Sequence, residues 1–195
     1  MDLTPLLASF LLVVVAELGD KTQIAVITLS SHHNALLVFA SGILALLLVS
    51  GLGVVIGETL TQIIPLPIIR VAAAILFLAF GVYAILLAGK KEGQVDRSCS
   101  KSVALSAFSM IALMELGDKT QLAVVALAAE YGAPLLVYAG VALAFTAITG
   151  LGVLIGCKLL RLIPLRIVRL GSGVVFILFG IVFLLNAFLQ GFLSV

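Results

Sequence analysis

The heptapeptide Glu-Leu-Gly-Asp-Lys-Thr-Gln occurs twice in this 195-residue chain, as Glu17–Gln23 and again as Glu115–Gln121. Each copy sets two carboxylates, a lysine and an amide inside a stretch otherwise rich in Leu, Ile, Val and Ala. An ionised side chain at the centre of a bilayer costs about 2.5–3.5 kcal/mol on the mildest scale, so charges kept there mark a functional site. Carboxylate and amide oxygens suit hard divalent cations such as Ca2+, Mg2+ and Mn2+. Neither copy contains His or Cys, which argues against a dedicated Zn2+ or Cu+ site.

An unbroken helix through each motif would turn roughly 100° per residue. Relative to Glu17, Asp20 then lies at about −60°, Lys21 at about +40° and Gln23 at about −120°. Glu17, Asp20 and Gln23 form one oxygen stripe, as do Glu115, Asp118 and Gln121, and these six are the expected metal ligands. Gly19 and Gly117 fall on the far side, where a missing side chain permits close helix packing. Met114 replaces the Ala16 of the first copy and falls near the polar stripe. It is either a soft ligand favouring Mn2+ over Ca2+ or a packing residue. Thr22 and Thr120 either lend an oxygen or bond back to their own helix. Lys21 and Lys119 either pair with Glu17 and Glu115 at i, i+4 and swing away when metal arrives, or stay as fixed counter-charges. Four carboxylates and two lysines leave two negative charges, which one divalent ion or two protons cancel. Carboxylates clustered out of water hold protons more tightly, so the pattern predicts exchange of one divalent ion for about two protons.

The elements that position these residues are helices in a membrane. The chain is 63% hydrophobic and 10% charged, with a mean hydropathy of +1.36. Soluble domains carry roughly 25% charged residues, so an all-α integral membrane protein is expected. Six stretches reach the roughly 20 residues a crossing needs, at about 4–29, 35–57, 67–88, 103–128, 134–157 and 168–190. Lys90, Lys91, Arg97, Lys101, Lys158, Arg161, Arg166 and Arg169 fall on one side of the membrane and Arg70 on the other. The basic side is expected in the cytoplasm, with both termini outside. The run from Lys90 to Lys101 then serves as a topology anchor at lipid headgroups. Cys99 and Cys157 fit no metal or disulfide spacing. No cleavable leader is expected, the first span itself directing insertion. With no nucleophile–base pair or redox motif, an enzyme is not expected, nor a cofactor or a nucleic-acid partner.

The repetition extends beyond the motif. Ser50-Gly-Leu-Gly-Val-Val-Ile-Gly57 matches Thr149-Gly-Leu-Gly-Val-Leu-Ile-Gly156, and Ile64-Pro-Leu-Pro-Ile-Ile-Arg70 matches Ile163-Pro-Leu-Arg-Ile-Val-Arg169. Three spans per unit is an odd number, so the second unit enters the membrane upside down. The fold class is therefore six transmembrane helices as two inverted three-helix repeats, 1–88 and 103–195, joined by a cytoplasmic loop at 89–102. In such transporters the cargo site lies near the midplane between repeats. Gly53, Gly57, Gly152 and Gly156 would pack closely against the motif helices, with Ser50 and Thr149 as candidates to face the site. His32-His33, Glu58 and Glu130 read as solvated loop or helix-end residues.

The paired E-x-G-D-K-T motifs, Glu17 to Thr22 and Glu115 to Thr120, resemble the signature of the Gdt-type cation/proton exchangers, and the resemblance covers essentially the whole chain. It implies transport of Mn2+, and in some members Ca2+, against protons, with Glu17, Asp20, Glu115 and Asp118 as the ion site. The short central loop and lack of a long N-terminal extension resemble the small bacterial manganese exporters. That implies export from the cytoplasm across a prokaryotic plasma membrane. The residues alone leave open an exporter of a small organic cation or amino acid, and a non-transporting membrane assembly factor. They also leave open Mn2+ against Ca2+, the proton stoichiometry, the conformation and the oligomeric state.

Overall fold

The computed structural model describes residues 2–87, 103–162 and 165–193. The expected cytoplasmic loop, with Lys90, Lys91, Arg97, Cys99 and Lys101, lies outside the described residues. So do the side chains of Ser31 and His32, of 155–166 (Cys157, Lys158, Arg161 and Arg166 among them), and of Arg169. The described residues are helical throughout apart from short connections. The helices are α1 Thr4–Glu17, α2 Lys21–His32, α3 Ala35–Ile63, α4 Leu66–Leu87, α5 Val103–Glu115, α6 Lys119–Tyr131, α7 Pro134–Leu162 and α8 Leu165–Leu193.

Local chemistry sets the helix ends. Pro5 sits in the first turn of α1, where its missing N–H is no loss. Asn34 caps α3, its side-chain oxygen accepting from the N–H groups of Leu36 and Leu37 at 3.0 and 3.3 Å. α6 stops at Gly132, which takes φ 57° and donates its N–H to Ala128 C=O. Pro134 then begins α7.

Among the described residues, α3, α4, α7 and α8 contain stretches long and apolar enough to cross a membrane. Their outward residues are large and hydrophobic, as with Leu36, Ile75, Leu135 and Leu154, a surface suited to lipid. α3, α7 and α8 run 29 residues each, longer than the sequence pattern suggests. At 1.5 Å per residue that is about 43 Å, more than the roughly 30 Å hydrocarbon core, so their ends reach the interface. The first and fourth expected spans are not single helices. Each is cut in two at the motif, into α1 and α2, and into α5 and α6.

Helices of the first half pack on helices of the second: α4 on α8, α1 on α7, α3 on α5 and α6, and α2 on α7. Without a hydrophobic drive between helices in lipid, small residues and tight packing hold such seams. A methyl added at Gly81 would stand 2.7 Å from Gly173 C=O, and one at Gly173 2.9 Å from Gly81 C=O. Beside this close approach, the buried Phe77 ring packs on Phe176 and Phe183 with centroids 5.8 and 5.3 Å apart.

Glu130 is not a solvated helix end. Its Oε2 lies 2.6 Å from Arg70 Nε, and both side chains are only 7% exposed. Asn186 Nδ2 donates to the other oxygen at 3.4 Å. This buried contact fastens the end of α6 to α4 and α8. Glu58 is exposed, as the sequence suggests.

Candidate metal centre

The motif is a turn between two half-helices. Glu17 is the last residue of α1, Leu18 takes φ −62° and ψ 116°, and Gly19 takes φ 74°. Asp20 N–H donates back to Glu17 C=O at 3.0 Å. Those values describe a type II turn, whose third position needs positive φ and so glycine. The second copy repeats it, with Gly117 at φ 80° and Asp118 N–H donating to Glu115 C=O at 3.1 Å. The expectation of packing glycines at 19 and 117 is therefore corrected. A methyl added at Gly117 would meet nothing within 4 Å, so backbone conformation rather than space demands glycine there.

After each turn an aspartate occupies the N-cap of the next half-helix, Asp20 for α2 and Asp118 for α6. Neither carboxylate bonds to its own helix, although capping is the usual role of Asp there. The glutamine three residues on caps instead. Gln23 Oε1 accepts from Gly19 N–H at 2.5 Å, and Gln121 Oε1 from Gly117 N–H at 2.6 Å. This resembles a capping box, in which a side chain at the third helical position reaches back over the turn. The expected use of the glutamine oxygens as free ligands is thus replaced by a backbone role. Only a carbonyl can accept from Gly19 N–H, which fixes the amide and leaves Gln23 Nε2 buried without a partner among the described residues.

The two turns meet across the two halves of the chain. Thr22 Oγ1 donates to Glu115 Oε1 at 2.5 Å, and Thr120 Oγ1 donates to Glu17 Oε1. Both glutamates and both threonines are buried. The threonines therefore neither bond back to their own helices nor stand apart. Each holds the glutamate of the opposite motif. Glu17, Glu115 and Asp118 each offer an oxygen within 4.8 Å of the other two. Oxygens at about 2.3–2.6 Å from a shared Ca2+ would lie up to roughly 5 Å apart, so the spacing fits. Each turn brings a negative helix end (α1, α5) and a positive one (α2, α6) to this point, so the half-helix dipoles oppose each other and the carboxylates carry the preference for a cation.

The remaining carboxylate and the lysines differ from expectation. Asp20 is not in the three-carboxylate group; its Oδ2 lies 2.7 Å from Lys119 Nζ, which also stands 3.2 Å from Asp118 Oδ2. Lys119 thus contacts aspartates of both motifs, not Glu115 four residues earlier. Lys21, its counterpart, is exposed. Met114 is half-buried on α5, one residue before Glu115. Ser50 is buried, but its hydroxyl donates to Leu46 C=O at 2.7 Å rather than into the site. Thr149 is buried on α7. A methyl added at Gly53 would stand 3.7 Å from Gln121 Cγ, and one at Gly152 3.7 Å from Gln23 Cγ. Gly57 lies where a methyl would stand 2.8 Å from Ala128 Cβ on α6. The surroundings of Gly156 lie outside the described residues.

The sequence carried a signal for the turn. Leu-Gly-Asp places a turn glycine and a cap in order, and Asp-x-x-Gln is the capping pattern. A model of the divalent cation/proton antiporter GDT1 family matches residues 5–92 and 103–191. The chain belongs to the GDT1 family. GDT1 proteins are antiporters, not enzymes, and the chain is accordingly a multi-pass membrane protein of that group. It is 30% identical over 204 residues to Protein PAM71, chloroplastic, of Arabidopsis thaliana, a match covering 90% of this chain and 55% of that protein. It is 31% identical over 209 residues to GDT1-like protein 5 of the same plant, covering 88% and 91%. A GDT1-like protein 3 of Oryza sativa subsp. indica is 28% identical over 201 residues, covering 90% and 72%. The chain thus spans about half the length of the first of these relatives. No solved structure matches it.

Proposed function

We propose that this chain exchanges a divalent cation for protons, and that Glu17, Glu115 and Asp118 take the cation. The observation that carries the reading is the meeting of two type II turns, which brings these three carboxylates within 4.8 Å of one another. So tight a spacing favours a bare ion over an organic cation, whose substituents need room. Asp20 stands beside the cluster as the partner of Lys119, 2.7 Å from its Nζ. Glu17 and Glu115 carry the protons when the cation leaves.

α1 with α2, and α5 with α6, each form one broken crossing, which gives six crossings in all. At 14 and 12 residues, α1 and α2 are about 21 and 18 Å long. Each is too short for a roughly 30 Å core, and together they suffice. Broken backbone at membrane depth is tolerated where it lines a cavity or is buried in protein. Two inverted repeats, 1–88 and 103–195, explain why contacts come in reciprocal pairs. Thr22 with Glu115 mirrors Thr120 with Glu17, and Gly53 on Gln121 mirrors Gly152 on Gln23. Such pairs are what a twofold relation produces.

The basic loops face the cytoplasm and both termini lie outside, in a prokaryotic plasma membrane. Mn2+, with Ca2+ as a second cargo, binds the deprotonated cluster from the cytoplasm. The repeats rock, and outside protons displace the metal. The test is Mn2+ and Ca2+ flux in proteoliposomes with a trapped pH dye, comparing wild type with Glu17→Gln and Glu115→Gln. Coupled metal and proton movement is expected in wild type and a loss of at least tenfold in both variants. Normal flux in both variants, or flux indifferent to a pH gradient, rules the reading out.

A further inference from the structure

We propose that Lys119 is a tethered competitor of the transported cation, bound to give up Asp118 when that cation arrives. The inference rests on the carboxylate cluster being the cargo site. Asp118 has two claims on it. It belongs to the group of three carboxylates within 4.8 Å, and its Oδ2 lies 3.2 Å from Lys119 Nζ. A divalent ion bound through Asp118 would stand within a few Å of the ammonium, where two cations repel strongly in a partly dry site. Lys119 has somewhere to go: Asp20 holds it at 2.7 Å, closer than Asp118 does. The lysine therefore changes from two aspartates to one, and Asp118 passes to the metal.

The two motif copies make this a property of one lysine at a time. Lys21 has the same neighbours in sequence yet is exposed, so of the two motif lysines it is Lys119 that supplies the competing charge in this arrangement. A lysine that merely stiffens the site would support metal binding. A competitor opposes it, and the two roles predict opposite signs.

The test is calorimetric titration of the purified full chain in detergent with Mn2+ and with Ca2+. Lys119→Gln is expected to tighten binding on the order of tenfold, because one nearby positive charge is removed. Lys119→Arg, which keeps the charge, stays within about threefold of wild type, and Lys21→Gln shifts affinity less than Lys119→Gln does. Weaker or unchanged binding in Lys119→Gln overturns the proposal while leaving the transport reading intact. No metal binding in wild type overturns that reading and this proposal with it. If Lys119→Gln does not fold, wild type answers the question through acetylation by a small amine-reactive reagent, read by mass spectrometry. Metal should raise labelling of Lys119 severalfold; no rise overturns the proposal.

Discussion

Replacing Gly117 by alanine tests whether the motif glycine serves backbone conformation or helix packing. Gly117 has φ 80°, and a methyl built there meets nothing within 4 Å. The cost of Gly117→Ala is therefore conformational, about 1–2 kcal/mol for an L-residue held at positive φ. Asparagine tolerates that region better than alanine, so Gly117→Asn should cost less despite its larger side chain. Gly57 gives the opposite case. A methyl there would stand 2.8 Å from Ala128 Cβ and 3.2 Å from Ala129 N, and would press on Val125 C=O. Gly57→Ala must push α3 from α6, at about 1–3 kcal/mol, and the larger asparagine should be worse. Thermal unfolding of the purified variants gives the ranking. At 117 the expected order of stability is Gly, then Asn, then Ala; at 57 it is Gly, then Ala, then Asn. If Asn is worse than Ala at 117, space is limiting there and the turn assignment fails. Gly117→Ala should also depress cation flux, because the turn sets where Glu115 and Asp118 stand relative to each other.

Thr22→Val removes an O–H donor from buried Glu115 and should cost about 1–3 kcal/mol, the range for leaving a buried acceptor without its donor. Thr22→Ser should recover most of the loss in both unfolding and flux assays, and a serine variant no better than valine would mean that the methyl, not the hydroxyl, matters. Arg70→Met strands the Glu130 carboxylate among buried neighbours and should destabilise by about 3–5 kcal/mol. Adding Glu130→Gln to that variant should recover much of it, measured by denaturant or thermal unfolding; a double variant no more stable than the single one would refute the pairing argument.

The sequence by itself determined the class of the molecule. Charged residues are too few to clothe a soluble surface, and hydropathy picks out the long helices. The sequence also held the turn chemistry, in Leu-Gly-Asp and Asp-x-x-Gln, yet the motif stretches read as single helices. Hydrophobic runs continue on both sides of the break, and a two-residue turn barely disturbs a twenty-residue hydropathy window. Tertiary structure alone decided which polar groups meet. Thr22 and Glu115 are 93 residues apart, Thr120 and Glu17 are 103 apart, and Arg70 and Glu130 are 60 apart. Periodicity can assign a residue to a face but not name what packs on that face. Lys21 and Lys119 show the limit most sharply. Their local sequences are identical, yet one is exposed and the other stands between two aspartates. Only the packing of the two halves against each other distinguishes them.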